Sequence, residues 1–347
     1  MKVSVIIPTY NRSHFIGEAI NSVLMQDIKD CSIEIIVVDD GSTDKTREVV
    51  KEFGDKIRYI YQKNQGAGAA RNRGIEGASG EWIAFLDSDD RWLPHKLSLQ
   101  FKVLKAFPDY KAIHSNFYTF AEDKIIIEKG LDYWVSLFSH SKQIDWAEAY
   151  SKKYKSTDFN IYNKGASFDI YTGNLFRAQL RAPYASCWTL LVHKDCLNPD
   201  IKFAEGYPTW EDYWFFCKLT EKHDIIFMDI ATAENRGHDG PRLTQADLTE
   251  VLKCHIDACE KIFLPSKSSN RPQNEEIEDQ HRMLHIILFK ELIKKGLRVE
   301  ANKILTSIKN LGGKGRGIVF WLFRLSLLLP FNVIGYLVLF KRLLHRT

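Results

Sequence analysis

With 347 residues, 45% of them hydrophobic and 27% charged, the chain is long enough for one large α/β domain plus an appended segment, and large-scale disorder is excluded. The formal net charge of +4 is uneven: after Glu300 there is no acidic residue, while Lys303, Lys309, Lys314, Arg316, Arg324, Lys341, Arg342 and Arg346 follow. Residues 1–300 therefore hold 40 basic against 44 acidic side chains, so no nucleic-acid partner is expected of the main domain.

The first hundred residues alternate β-branched runs with helical patterns, as parallel βαβ units do. Val3–Ile7, Ile33–Val38, Ile57–Tyr61 and Trp82–Leu86 are predicted strands; Phe15–Met25, Lys45–Phe53 and Ala67–Ala78 are predicted helices. The strands are nearly continuous apolar runs, which suits a sheet covered on both faces. Beyond them, Pro94 opens a helix over Lys96–Phe107, and Ala112–Phe120 pairs as a strand with Lys124–Glu128. Residues 130–180 lack periodicity and read as an irregular, partly helical insertion. Tyr184–Val192 and Asp224–Met228 are predicted strands and Glu211–Glu221 a helix. A helix around 246–263 leads to the polar, proline-bounded stretch Pro265–Pro272. Two helices over 275–295 and 297–310 precede the glycine-rich break at 312–317.

The six cysteines show no metal-like spacing and read as reduced thiols. The apolar Val3–Pro8 is too short for a leader core, so a cytoplasmic location is expected.

Ligands of parallel α/β sheets bind beyond the carboxyl ends of the strands, and this chain gathers its polar residues there. Strand 1 ends in Pro8-Thr9-Tyr10-Asn11-Arg12, strand 2 in Asp39-Asp40-Gly41-Ser42-Thr43-Asp44. Strand 3 leads through Asn64-Gln65-Gly66 to Arg71-Asn72, and strand 4 ends in Asp87-Ser88-Asp89-Asp90. So many carboxylates in one crevice call for a cation. Asp87-x-Asp89 suits a hard divalent ion, Mn2+ or Mg2+, completed by phosphate oxygens.

Four of these segments, Val3–Asn11, Val37–Asp44, Asn64–Gly74 and Phe85–Asp90, in this order, resemble family 2 glycosyltransferases of the GT-A fold. The resemblance is strong over 1–107 and traceable to about residue 245. It implies an α/β GT-A fold with a mostly parallel sheet flanked by helices and a C-terminal helical extension. It also implies an inverting, metal-dependent sugar transfer from a nucleotide-diphosphate donor, with a UDP-sugar expected. The several membrane spans and Gln-x-x-Arg-Trp motif of the processive synthases are missing from the sequence, which favours addition of a single sugar. The acceptor would be a surface glycan or lipid-linked oligosaccharide. Donor contacts would come from Pro8, Thr9, Asn11, Asp40, Asn64, Gly66, Arg71, Asp87, Ser88 and Arg242. Asp87, Asp89 and His238 would hold the metal. The Glu211-Asp212 pair would supply the catalytic base, Asp212, with Trp188, Trp210 and Glu211 on the acceptor side.

Bland readings stand beside these. Asp40 could cap the next helix, Arg71 could brace the acidic turn rather than touch phosphate, and Glu211-Asp212 could simply favour a helix N-terminus. The implied division is a catalytic domain over 1–245, with a nucleotide-binding half 1–107 and an acceptor half 108–245. A helical extension over 246–311 and a basic hydrophobic tail over 312–347 complete it. Within the tail, Ile318–Phe340 approaches a membrane span in length, but Arg324 and Pro330 favour helices lying in the interface, drawn to an anionic cytoplasmic leaflet. An amphipathic helical hairpin packed on the domain or in a homodimer interface is the alternative. A catalytically silent glycan-binding scaffold and a sugar nucleotidyltransferase are the rival functions. The second lacks the Gly-x-Gly-x-Arg loop that it would carry after strand 1.

Overall fold

The computed structural model describes residues 1–139, 144–237 and 247–310; His238, Arg242 and the tail 312–347 lie outside the described residues. By internal contacts the chain divides into two compact units. One holds the described residues up to 237 together with Ser266–Arg271, the other residues 247–265 and 272–310.

The first unit is built on one mixed sheet. Its parallel half follows the apolar runs: β1 (Lys2–Thr9), β2 (Ser32–Asp39), β3 (Ile57–Tyr61) and β4 (Trp82–Phe85) lie in the order β3-β2-β1-β4, all parallel. Seven of the eight β1 residues are buried, as covering both sheet faces requires. The helices α1 (Ile16–Leu24), α2 (Thr46–Lys51) and α3 (Ala67–Gly77) connect them. Gly74 lets α3 settle on β1, since a Cβ there would stand 2.3 Å from Ile6 Cγ2.

After the short β5 (Arg91–Trp92) and α4 (Lys96–Ala106), the second half adds β6 (Ala112–Ala121) and β7 (Lys124–Ile127). Then come α5 (Gly130–Ser139), α6 (Trp146–Ala149), β8 (Lys152–Lys155), β9 (Asp169–Gly173) and α7 (Phe176–Gln179). β10 (Leu191–His193), α8 (Glu211–Lys222) and β11 (Ile225–Arg236) complete the unit. The sheet continues β4-β10-β6-β11-β9-β8; β10 is antiparallel to both neighbours, while β6 and β11 run parallel.

Three expectations change here. The segment 130–180 is more ordered than its pattern suggests, because β8 and β9 form an antiparallel pair at the sheet edge. β8 reads Lys-Lys-Tyr-Lys, the charged composition that blunts an edge strand and hides its pairing from hydrophobic periodicity. The strand expected over Tyr184–Val192 shrinks to Leu191–His193. Cys187–Thr189 turns instead as a 3-10 helix, and the Thr189 carbonyl accepts hydrogen bonds from Lys96 Nζ (3.1 Å) and Gln100 Nε2 (2.8 Å). The strand expected over Asp224–Met228 extends to Arg236, carrying polar residues to the acidic turn.

In the second unit Asp247 caps α9 (Leu248–Ala258), accepting the Thr249 N–H at 2.9 Å. The helix passes into a π-helical turn, Cys259–Phe263. α10 (Asn274–Lys294) and α11 (Arg298–Asn310) match the two predicted helices. They part at Gly296, whose φ of 74° allows a Schellman closure: Leu297 N–H to Leu292 O (2.9 Å) and Gly296 N–H to Ile293 O (3.0 Å). Among the described residues no helix is long and apolar enough to cross a membrane.

Candidate active site

The carboxyl ends of β1, β2, β3 and β4 open on one edge of the sheet, and side chains from each loop lock the next. Asn11 takes a left-handed φ of 52°, a conformation asparagine tolerates. Its N–H donates to Ser42 Oγ (2.9 Å), while its Oδ1 accepts the N–H groups of Thr43 (2.8 Å) and Asp44 (3.3 Å). Asn11 thus ties the β1 loop to the β2 loop. Pro8 lies inside β1, opposite Val38. The Ile6 carbonyl faces β4, accepting the Leu86 N–H at 3.0 Å, so the Pro8 nitrogen faces the same side. β4 has already ended there, so the missing N–H leaves no ladder bond unmade. Next to it the Thr9 hydroxyl is buried without a hydrogen-bond partner among the described residues.

Asp40 does not cap α2. Its carboxylate accepts Gln62 Nε2 (2.8 Å) and Gln65 N–H (2.9 Å) on Oδ1, and Gly66 N–H (2.8 Å) on Oδ2. A carboxylate has about four acceptor positions, so roughly one remains for a ligand. Gly66, at φ 91°, turns the chain so that its N–H can reach Asp40. Asn64 is exposed on the same loop.

The acidic turn is closed by the Asp90 N–H to Asp87 O bond (3.1 Å). Its members divide by environment. Asp90 is buried and accepts Arg236 N–H (2.8 Å) and Asn235 Nδ2 (3.1 Å) from the end of β11. Burial first, then the charges of Asp89 and Asp87, push its carboxyl up. Asp90 is thus a fastening to β11 rather than a ligand. Asp89 is partly open, with Arg12 Nε at 3.2 Å from its Oδ2, and Arg236 Nε also holds the Asp89 carbonyl at 3.1 Å. Ser88 is buried between them. Asp87 is raised by burial, resisted by Arg71 and raised again by Asp89. These two carboxylates fit a divalent cation: their mutual repulsion stands although Arg12 and Arg71 each already pair with one of them.

Of the two roles expected of Arg71, its described contacts are those of the brace. It is buried, and its Nη2 donates to Asp87 Oδ1 (2.6 Å) while Nη1 donates to Glu211 Oε1 (2.5 Å). Although burial opposes its charge, Asp87, Glu211 and Asp212 hold the guanidinium firmly protonated. It braces the acidic turn and joins it to α8. α3 reaches this position because Gly68 lies under the 203–211 segment, where a Cβ would stand 2.2 Å from the Ala204 carbonyl oxygen. Asn72 fixes the same segment through Phe203 N–H (2.9 Å) and Phe203 O (3.0 Å).

Asp212 follows in the first turn of α8, half-buried. Burial, then the neighbouring Glu211, push its carboxyl up to about 7, against the opposing pull of Arg71. Trp210 precedes α8 in a left-handed φ of 64°, its ring 5.0 Å from that of Tyr213. A bulky residue in this conformation is strained. Trp188 is not on an open face. It is 4% exposed and packs edge-on against Phe117 (5.1 Å) and Trp134 (5.2 Å).

Arg12, Asn235 and Arg236 were not singled out as site residues by sequence. The basic side chain directly after the strand 1 motif was a readable signal for Arg12. A separate cavity of about 460 Å³, lined by Asp132, Trp146, Asp169, Tyr171 and Asp229 among others, also escaped notice.

The family model described as Glycosyl transferase family 2 matches residues 4–181, just over half of the chain. An uncharacterised glycosyltransferase of Nostoc sp. is 54% identical over 101 residues, covering 28% of this chain and 31% of that protein. Glycosyltransferase GlyA of Streptococcus pneumoniae is 38% identical over 128 residues, 35% of this chain and 18% of that one. The matched regions therefore span less than a third of these relatives' own length. Among solved structures, S. aureus TarS 1–349 in complex with UDP-GlcNAc aligns with a TM-score of 0.59 at 18% identity. That alignment covers 90% of this chain and 80% of TarS 1–349. The mannosyltransferase PcManGT of Pyrobaculum calidifontis, in complex with GDP-Man and Mn2+, aligns with a TM-score of 0.52 at 18% identity, over 91% and 77%. These two likenesses establish the GT-A type of fold.

Removal of Arg71 leaves Asp87 and Glu211 as uncompensated partly buried charges. Arg71→Ala is expected to destabilise the fold by about 3–5 kcal/mol, and Arg71→Lys to recover little, because one ammonium cannot fork between two carboxylates. Urea denaturation midpoints check this; a lysine variant with wild-type stability would contradict the bridging role.

Proposed function

The chain belongs to glycosyl transferase family 2, and on that premise we propose that it transfers a single sugar, with inversion, from a nucleotide-diphosphate donor to a glycan hydroxyl. The observation that carries this reading is geometric: Arg71 joins the acidic turn to Glu211, the neighbour of Asp212, and burial and Glu211 push the Asp212 carboxyl up to about 7. A general base works best when its pKa lies near the operating pH.

In this reading the acceptor hydroxyl oxygen forms the new bond to the anomeric carbon as the carbon–phosphate-oxygen bond breaks. Asp212 takes the hydroxyl proton, and the nucleoside diphosphate departs with the bonding electrons. Asp87 and Asp89 would hold a divalent cation, Mn2+ or Mg2+, which when bound supplies positive charge to the departing diphosphate. The base of the donor would lie on the β1 and β2 loops. There the unpartnered Thr9 hydroxyl and the remaining acceptor position of Asp40 suit a ring with one imide N–H, as in uracil. Both structural neighbours were solved with nucleotide sugars, which supports the donor class. Glu211, held by Arg71, sets the field around Asp212, and the half-buried Trp210 offers a face to a sugar ring. The tail 312–347, basic at both flanks of its apolar stretch, would rest on an anionic cytoplasmic leaflet, where lipid-linked glycan acceptors sit.

Asp212 must be ionised to accept a proton, so kcat/KM is expected to fall about tenfold per pH unit below its pKa and to level off above it. Glu211→Gln removes a neighbouring charge and frees Arg71, and both effects move that acid limb to lower pH; a limb that stays put would exclude the coupling. Linkage gives the same group an opposite effect on stability. The folded state keeps a proton that the unfolded chain releases near 4, so Asp212 costs stability as pH rises from there towards 7.

Asp89→Ala is expected to abolish the manganese-dependent rise in melting temperature produced by nucleotide sugars, while the apo protein stays folded. Donor binding with unchanged manganese dependence in this variant would remove Asp89 from the metal site.

Deletion of residues 312–347 is expected to release the protein from anionic liposomes in a sedimentation assay; continued co-sedimentation would move the membrane contact elsewhere.

A further inference from the structure

The second unit contains a cluster that sugar transfer does not use. Glu260, His281 and His285 place one ligand atom each within 4.8 Å of one another. The two histidines stand one helical turn apart on α10, in a buried stripe otherwise made of Ile277, Leu284, Leu288 and Phe289. Imidazoles in an apolar stripe are costly to bury unless their nitrogens are bonded. Here they are 3% and 4% exposed. Glu260 comes from the π-helical turn after α9, and its Oε1 lies 3.0 Å from His281 Nε2. π-turns inside helices recur at functional sites.

The tautomers are also informative. His285 Nδ1 lies 2.9 Å from the His281 carbonyl oxygen, which can only accept, so Nδ1 carries the hydrogen. In the neutral ring Nε2 then holds the free lone pair. A metal-binding histidine is oriented in just this way, by donating its other N–H to a carbonyl. His281 Nε2 and Glu260 Oε1 already face each other at hydrogen-bond distance, where a divalent ion could bridge them. The Glu260 side chain is 47% exposed, so the cluster is reachable from solvent.

We propose that Glu260, His281 and His285 form a zinc site that pins the turn after α9 to α10. Two imidazoles and one carboxylate are a zinc-type donor set. Tetrahedral coordination at 2.0–2.2 Å needs donor atoms about 3.3 Å apart. The Glu260–His281 pair already stands near this spacing, and the His285 ligand atom lies within 4.8 Å of both partners. The role assigned is structural: the metal closes the chain between residues 260 and 281 across the Pro265–Pro272 stretch.

The test uses the full chain carrying Asp89→Ala, which removes the cation expected at the acidic turn. After chelator treatment and zinc dialysis, atomic emission is expected to count one zinc per chain. Cobalt substitution is expected to give the intense visible absorption of a four-coordinate site. His285→Ala should lower zinc affinity at least tenfold. Glu260→Gln, an exposed change that leaves the core packing intact, should do the same and keeps the test open if the histidine variant fails to fold. No zinc uptake by the Asp89→Ala chain, or one zinc bound with unchanged affinity in Glu260→Gln, would overturn the site. No sugar-transfer assay enters the comparison, so a failure here is distinct from a failure of the proposed activity.

Discussion

A single buried guanidinium holds the candidate active site together. Arg71 is shared between Asp87 at the end of β4 and Glu211 at the start of α8, partners that stand 16 and 140 residues away in the chain. Charges removed from water must be paired and hydrogen-bonded to be tolerated, so the two carboxylates and the arginine can only be buried as a set. That requirement positions α8 against the acidic turn, and with it Asp212. The glycine at position 68 and the asparagine at 72 are consequences of the same demand. One lets α3 approach the 203–211 backbone, and the other bonds that backbone directly.

Around this link the loops brace one another rather than waiting for a ligand. Asn11 joins the β1 and β2 loops, Asp40 gathers the loop after β3, and Asp90 is fastened to the end of β11. Arg236 continues that fastening, holding the Asp89 carbonyl, pairing with Glu18 and lying over the Phe120 ring at 4.7 Å. Asp87 and Asp89, paired with Arg71 and Arg12, and Asp212 therefore sit on a prepared frame. Preorganised charge is the form in which a protein stabilises a transition state with least rearrangement. The same physics separates three neighbouring aspartates: Asp90 is consumed by structure, Asp89 is left partly open, and Asp87 lies between.

The helical unit repeats the theme with other chemistry. Its apolar packing admits two histidines only because a backbone carbonyl and a carboxylate receive their nitrogens. A histidine whose one ring nitrogen is held by a carbonyl is oriented to offer the other to a ligand.

Much of this was legible in the sequence alone. β1 to β4 appear as apolar runs because a parallel sheet covered on both faces needs them, and the polar clusters at their ends mark the crevice for the same topological reason. The acidic turn, Arg71 and the Glu211-Asp212 pair were visible as candidates. What the sequence could not decide was how these groups share their bonds. Whether Arg71 meets phosphate or carboxylates, whether Asp40 caps a helix or holds a loop, and whether Trp188 faces a sugar or the core each depend on partners far along the chain. The edge strands β8 and β9 were hidden for a related reason: a charged strand such as Lys152–Lys155 owes its conformation to its neighbour, not to its own periodicity. Local pattern set the framework, and long-range burial of charge assigned each side chain its work.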